Sequence, residues 1–230
     1  MKIILTNDDG IGAPGLETLL TCFREASQIV IVAPEQPQSG ISHRVTTRAP
    51  IRVTEIKKNR YSVDGTPADC SRIALKQIVP DAAWLVSGIN AGANLGSDVY
   101  NSGTVAAARE AAILGYRSIA ISQYIAKNQS VIWENTGFQA KSVLKMLMDR
   151  DLEPSYFWNV NLPHPIDTNS EKTYKFCSLD TNPHKYAYRK NESNYIYDGS
   201  IHERPRNPGS DVAVCFDEGN IAITRVAVGN

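Results

Sequence analysis

A chain of 230 residues can bury a substantial core as one large domain, and its 24 basic and 24 acidic side chains cancel to a formal net charge of zero. That balance gives no global electrostatic case for a nucleic-acid polymer or a membrane surface as partner. A hydrophobic content of 42% with 21% charged residues is ordinary for a soluble globular protein, and no apolar run approaches the ~20 residues that a membrane helix needs.

The chain enters a strand at once, with no signal peptide, so a cytoplasmic protein is expected. Ile3-Ile4-Leu5 is a short apolar run of the kind found in a strand buried on both faces of a parallel sheet. It stops abruptly at Asn7-Asp8-Asp9. Gly10 and Gly12 then allow a tight turn, and Pro14 suits the first turn of a helix over about 14–26, whose Leu16, Leu19, Leu20 and Phe23 share one face. Ile29 to Val32 reads as the next strand, followed by a loop over 35–40. Residues 51–64 alternate around the polar turn Lys57-Lys58-Asn59-Arg60 and read as a β-hairpin insertion. Thr66 is the expected cap, and Pro67 the first residue, of another helix.

Ala83 to Val86 forms the next strand and runs into Ser87-Gly88-Ile89-Asn90 and a glycine-spaced loop to Gly96. Ser102-Gly103-Thr104 opens an alanine-rich helix that can pack very close to the sheet and stops at Gly115. A strand at 118–122, a helix at 134–149 with Phe138, Val143, Leu144 and Leu147 as core, and a last main-sheet strand at 157–162 follow. The division is then a core over 1–165 and an extension over 166–230 within one domain. In the extension, 174–179 could be a strand, and the polar, tyrosine-rich 181–210 reads either as a hairpin arm used in oligomer contacts or as a solvated loop. Residues 211–218 alternate like a strand yet are bracketed by Ser210 and Gly219 like a helix; 220–228 reads as a final strand. The cysteines Cys22, Cys70, Cys177 and Cys215 make no metal or redox spacing and read as small core residues of a reduced protein.

Two adjacent carboxylates at a strand's carboxyl end repel each other, and a hard dication with oxygen ligands, Mg²⁺ or Mn²⁺, is an economical partner. Capping of the following helix by Asp8 or Asp9 is the plainer alternative. The loops at Asn7–Gly10, Ser39-Gly40 and Ser87–Asn90 lie on one rim if the sheet is parallel, and the Ser102-Gly103-Thr104 helix start offers unpaired N–H groups to a phosphate. Carboxylates for a cation beside donors for a phosphate point to metal-assisted phosphoester hydrolysis.

The segments Ile4-Leu5-Thr6-Asn7-Asp8-Asp9-Gly10, 34–42, Asp64 to Cys70, Ser87 to Gly96 and Ser102 to Ala108 closely resemble, in order, the signatures of the SurE family of survival-protein nucleotidases. Asn159 to Pro163 and Ile221 to Thr224 resemble its later segments. The resemblance implies a Rossmann-like α/β fold, a mostly parallel sheet flanked by helices, with a C-terminal extension that makes homodimer or homotetramer contacts. It implies a phosphatase with one divalent metal ion per subunit, acting on nucleoside 5′-monophosphates and, as a further expectation, 3′-monophosphates. Asp8, Asp9, Ser39 and Asn90 match its metal ligands; Asn94, Ser102, Gly103 and Thr104 match its substrate-binding neighbours, with Asp8, Asp9, Asn94 and Ser102 as the catalytic set. An Asp oxygen not taken by the metal would accept the proton of the attacking water. Two departures stand out: Tyr100-Asn101 where the family often has Tyr directly before Ser-Gly-Thr, and Arg225-Val226 where it has Pro-Leu. The first falls at the pocket lip, the second at the periphery.

A receiver-type signalling domain would need a phospho-accepting Asp at its third strand, where this chain has the 51–64 hairpin. A haloacid-dehalogenase-like phosphatase would need two Asp separated by one residue, and here they are adjacent. A metal- or nucleotide-binding module without catalysis is the remaining alternative. The four histidines fall mostly in polar segments and are expected at the surface, with His43 near enough to the Ser39 loop to line the pocket.

Overall fold

In a strand, alternate side chains face opposite sides, and the Ile3-Ile4-Leu5 run uses both. Ile3 and Leu5 join one apolar cluster, Ile4 joins another, and all three are fully buried. A computed structural model describes residues 1–24, 28–164, 173–184 and 186–229. In chain order the elements are β1 (Lys2–Thr6), α1 (Pro14–Cys22), β2 (Gln28–Pro34), β3 (Val53–Lys57), β4 (Arg60–Val63), α2 (Pro67–Ile73), β5 (Trp84–Ala91), α3 (Gly103–Ile113) and β6 (Arg117–Gln123). They continue as α4 (Trp133–Met148), β7 (Tyr156–Leu162), β8 (Tyr174–Phe176), β9 (Tyr188–Asn191), β10 (Asn194–Tyr197), α5 (Asp211–Phe216) and β11 (Ile221–Ala227).

Among the described residues, nine strands form one sheet in the order β3-β4-β2-β1-β5-β6-β7-β11-β8. The run from β4 to β7 is parallel, while β3 and β11 run antiparallel to their neighbours β4 and β7. The architecture is therefore the expected α/β fold with a mostly parallel sheet. Leu16 and Leu19 of α1 and Val143, Leu144 and Leu147 of α4 cover one face. Cys70 and Leu75 from α2 and its continuation cover the other, together with the alanine face of α3. The small residues let α3 come close: the Ser118 hydroxyl donates to the Ala108 carbonyl at 2.7 Å, and that of Ser71 to Ala107 at 2.9 Å. Chain order reverses at β1, with β2 on one side and β5 on the other, so the crevice for a ligand lies at their carboxyl ends.

Several expectations need correction. The 51–64 hairpin forms, but β4 also pairs with β2, so the hairpin lengthens the main sheet. β7 is not the last strand of that sheet: β11 pairs with it and β8 with β11, because the alternating Ile221, Ile223 face buries against the core. The Thr224 segment is thus interior to the sheet. Phe138 is 72% exposed, since it lies on the outer side of α4, away from the Val143–Leu147 stripe. The first helix ends at Cys22 with Phe23 at its cap, and 25–27 lie outside the described residues. Residues 211–216 resolve as helix, since Ser210 accepts from the Ala213 N–H as N-cap. Within 181–210 a two-stranded hairpin, β9–β10, carries exposed Tyr188, Tyr195 and Tyr197, with Lys185 outside the described residues.

Candidate active site

The apolar strand β1 delivers Asp8 and Asp9 to the crevice at the chain reversal. Asp8 is buried, and its carboxylate accepts a short hydrogen bond from the Thr104 hydroxyl. Burial, together with the neighbouring Asp9 charge, outweighs that bond and pushes the Asp8 carboxyl up to about 6. Asp9 is half-buried; desolvation raises it, opposed by the Ala91 backbone N–H at the end of β5. Neither acid is shifted by a cationic group among the described residues. Asn7 does not join them as a donor: its amide bonds the Gly10 carbonyl at 2.9 Å, closing the turn, and its buried Oδ1 has no hydrogen-bond partner among the described residues.

The N-terminus of α3 meets this turn directly. Ser102 is the N-cap, its Oγ accepting from the Val105 N–H at 3.1 Å. Gly103 follows, and a Cβ there would stand 2.8 Å from the Asp8 Cβ and 2.9 Å from Asp8 Oδ2. Only glycine lets the helix start lie against the carboxylate. Asp8, Ser102, Gly103 and Thr104 are therefore brought together, and Asp9 reaches the β5 end that carries Asn90. Capping of α1 by the acids is excluded: its N-cap is Ala13, with no side-chain cap bond.

The remaining expected residues are held by partners of their own. The Asn90 amide donates to the Gly92 carbonyl at 2.7 Å. Ser39 is exposed on the loop after β2, one residue beyond Gln38, whose N–H donates to the Asp8 carbonyl at 2.7 Å. Asn94 is held elsewhere on the rim. Its amide donates to Ser122 Oγ at 2.7 Å, its N–H to Asn161 Oδ1 at 2.8 Å, and its carbonyl accepts from Asn159 and Asn161 at 2.9 and 3.0 Å. The acids, taken with the hydroxyl and amide oxygens of Ser39 and Asn90, would make an all-oxygen donor set with two negative charges. That chemistry, with a desolvated Asp8 beside Asp9, fits a hard divalent cation. Among the described residues, no cluster of three or more His, Cys, Asp or Glu that could hold a metal is found, so the two acids would need the neutral oxygens of Ser39 and Asn90 to complete a set.

Sequence reasoning missed the groups that brace these loops. Asp69 is buried inside the α2 capping box and also accepts from the Thr46 N–H and hydroxyl at 2.9 and 2.8 Å. It thereby ties the 35–52 loop that bears Ser39 to a helix start. His43 is not a surface residue: its Nε2 lies 2.7 Å from Glu110 Oε2 and its Nδ1 3.4 Å from Arg109. Nor is His202 idle, for its Nδ1 lies 3.0 Å from the Tyr124 hydroxyl. Asn159 and Asn161, two amides on one face of an apolar strand, were the signal for a braced rim. The local pattern brings His43 near the Ser39 loop but does not mark its pairing with Glu110, nor the role of Asp69, because their partners are distant in sequence.

Comparison with known proteins places this geometry in context. Residues 3–186 match the family described as "Survival protein SurE". A protein of Synechocystis sp. named "Putative 5'-nucleotidase alr3139" is 48% identical over 228 residues, covering 99% of this chain and 100% of its own. The "5'-nucleotidase SurE" of Myxococcus xanthus is 32% identical over 232 residues, covering 97% of this chain and 86% of its own. Among solved structures, the SurE protein from Aquifex aeolicus superposes with a TM-score of 0.87 at 27% identity, covering 100% of this chain and 94% of that one.

Proposed function

This chain belongs to the SurE family, and from that premise we propose that it is a divalent-metal-dependent phosphomonoesterase hydrolysing nucleoside 5′-monophosphates to nucleoside and phosphate. The observation that carries the reading is the contact of Asp8 with Thr104 and Gly103, which sets a cation-seeking carboxylate against an anion-seeking helix start. Asp8 and Asp9, with the oxygens of Ser39 and Asn90, would hold one Mg²⁺ or Mn²⁺. When bound, such an ion supplies Lewis acidity and neutralises phosphate charge.

The chain's own groups do the rest. The free N–H groups at the start of α3 donate to the phosphoryl oxygens, helped by the helix dipole. The Ser102 hydroxyl receives the Val105 N–H, so its own hydrogen is available to the same oxygens. Asn94 uses its amide for Ser122 through one hydrogen and keeps the other for substrate, with its backbone clamped by Asn159 and Asn161. A carboxylate oxygen of the acid pair takes the proton from the attacking water. Thr104 orients the Asp8 carboxylate. Exposed Tyr100, one of the two departures from the family pattern, stands at the lip where a nucleoside would lie. Assembly as a homodimer or homotetramer through the tyrosine-bearing arm, and a cytoplasmic location, belong to the same proposal; among the described residues no helix is long and apolar enough to cross a membrane.

The test is phosphate release from p-nitrophenyl phosphate and from 5′- and 3′-nucleoside monophosphates, with Mn²⁺ or Mg²⁺ and with EDTA. Turnover that EDTA abolishes, and that folded Asp8→Asn and Asp9→Asn proteins lack, is expected. Near-normal turnover by metal-replete Asp8→Asn would refute the mechanism, and an inert, metal-indifferent protein would point to a binding module.

A further inference from the structure

A short 3₁₀ turn, Gly96–Tyr100, stands directly before the Ser102 cap. The Asp98 carbonyl accepts the N–H groups of Asn101 and Ser102 at 3.0 and 3.1 Å, so this turn sets where α3 begins. Two side chains more than a hundred residues away in sequence grip it. At its start, Asp211 Oδ2 accepts from the Gly96 N–H at 2.8 Å, while Oδ1 accepts from the Asp180 N–H at 2.8 Å. Further along, Arg204 Nη1 lies 2.6 Å from Asp98 Oδ2 and 3.2 Å from the Leu95 carbonyl.

The Arg204 side chain is 0% exposed, although it comes from the polar 181–210 stretch. It lies flat against the turn: a Cβ at Gly96, where φ is +52°, would stand 2.8 Å from Arg204 Nη2. Desolvating a guanidinium is costly unless it is paired in good geometry. A residue that served only to fill the core would be apolar. The charge facing Arg204 is instead Asp98, on the turn that leads into the candidate phosphate seat, with Asp211 and His184 nearby.

We propose that Arg204 is a positioning residue for that seat: paired with Asp98, it holds the 96–100 turn, and through it the Ser102–Thr104 amides, in register with Asp8. The C-terminal segment then governs how tightly the site grips a phosphoryl group. The inference deepens the phosphatase reading and rests on it for its kinetic consequence, whereas its structural consequence can be measured independently.

The experiment compares full-length wild type with Arg204→Met, Asp98→Asn and Arg204→Lys. By hydrogen exchange, the amides of 96–105 in Arg204→Met should exchange about tenfold faster, as loss of a charge-assisted hydrogen bond implies. Amides of β1 and α4 should keep wild-type protection. In kinetics with p-nitrophenyl phosphate, KM should rise about tenfold with kcat changed far less, the signature of weakened binding common to ground and transition states. Arg204→Lys, which keeps the charge, should recover much of the loss. Should Arg204→Met fail to fold, Asp98→Asn carries the same expectations. Uniform loss of protection, unchanged exchange at 96–105, or kcat falling in step with the folded fraction at constant KM would overturn the proposal. If wild type releases no phosphate, the phosphatase reading fails, and the exchange pattern still decides this one.

Discussion

Replacing Gly103 by alanine separates the site's geometry from the stability of the helix that carries it. The added Cβ would meet the Asp8 Cβ at 2.8 Å, Asp8 Oδ2 at 2.9 Å and Ile41 Cγ2 at 3.2 Å. Since unstrained carbon contacts sit at about 3.5–4.0 Å, Asp8 or the helix start must shift by roughly 0.7–1 Å. On stability the effects oppose each other: alanine gains up to about 1 kcal/mol over glycine in a helix, and overpacking costs about 1–3 kcal/mol. The net change should therefore stay within about 3 kcal/mol. On activity they do not cancel, because a misplacement near 1 Å costs about 10²-fold. Urea unfolding together with kcat/KM for a nucleoside monophosphate reads both. Gly12→Ala is the control, since nothing lies within 4 Å of a Cβ there. A folded Gly103→Ala enzyme with kcat/KM within about threefold of wild type would refute the claim that Asp8 must abut the start of α3.

Asp8→Asn should abolish turnover yet stabilise the metal-free protein. A carboxyl raised from 3.8 to about 6 adds stability that is full below its unfolded value and lost as pH rises through 6. At pH 7 the ionised group then costs about 3 kcal/mol, so Asp8→Asn should unfold at higher urea than wild type at pH 7 and at a similar concentration near pH 4. Glu110 carries the opposite sign. Burial would raise it, but His43 and Arg72 bring it below its usual value, so its stabilisation exists at neutral pH and disappears in acid. Glu110→Gln should cost about 3–5 kcal/mol at pH 7, with a shallower acid limb in a pH series of urea melts. Phe138→Ser should lie within about 0.5 kcal/mol of wild type while Leu144→Ala loses about 2–5 kcal/mol; equal losses would return Phe138 to the core. Finally, Mn²⁺ should raise the Tm of wild type and leave that of Asp8→Asn nearly unchanged.

What could be read in advance was whatever local chemistry decides. The Ile3–Leu5 run, the Thr66 and Ser102 caps with Pro67 and Gly103 behind them, and the alternation of 51–64 each determine their own backbone. So does the stop at Asp8-Asp9, because no apolar strand continues through two charges. The failures share a cause in partners that lie far along the chain. Val212, Val214 and Phe216 alternate as a strand would, yet the segment is helical because Ser210 caps it and Asp211 finds acceptable donors in Gly96 and Asp180. Arg204 sits in a stretch whose composition says solvent, and only the loop at 95–98 explains its burial. Phe138 was misjudged for a different reason: apolarity alone does not say which side of a helix meets the sheet.

The site is assembled from loops that would not hold their places alone, and each is fastened by a buried polar group from elsewhere. Asp69 fastens the loop with Ser39, Asn159 and Asn161 fasten Asn94, and Arg204 with Asp211 fastens the turn before Ser102. Each anchor is hydrogen-bonded to the loop it holds, which fixes that loop in place, although among the described residues Asn159 Oδ1 and Arg204 Nε and Nη2 have no partner. The acid pair is the exception: burial desolvates both carboxylates and raises both pKa values, and the Asp9 charge adds to the rise at Asp8. A rigid frame around a desolvated pair cannot relieve it by opening the acids to water. Relief must come from a proton or a cation, and near neutral pH, above the value at which Asp8 titrates, the cation is the stronger candidate. The rigidity of the anchors is thus what converts the desolvation of the acids into metal affinity, and loosening any one of them should weaken metal binding even where no ligand has been touched.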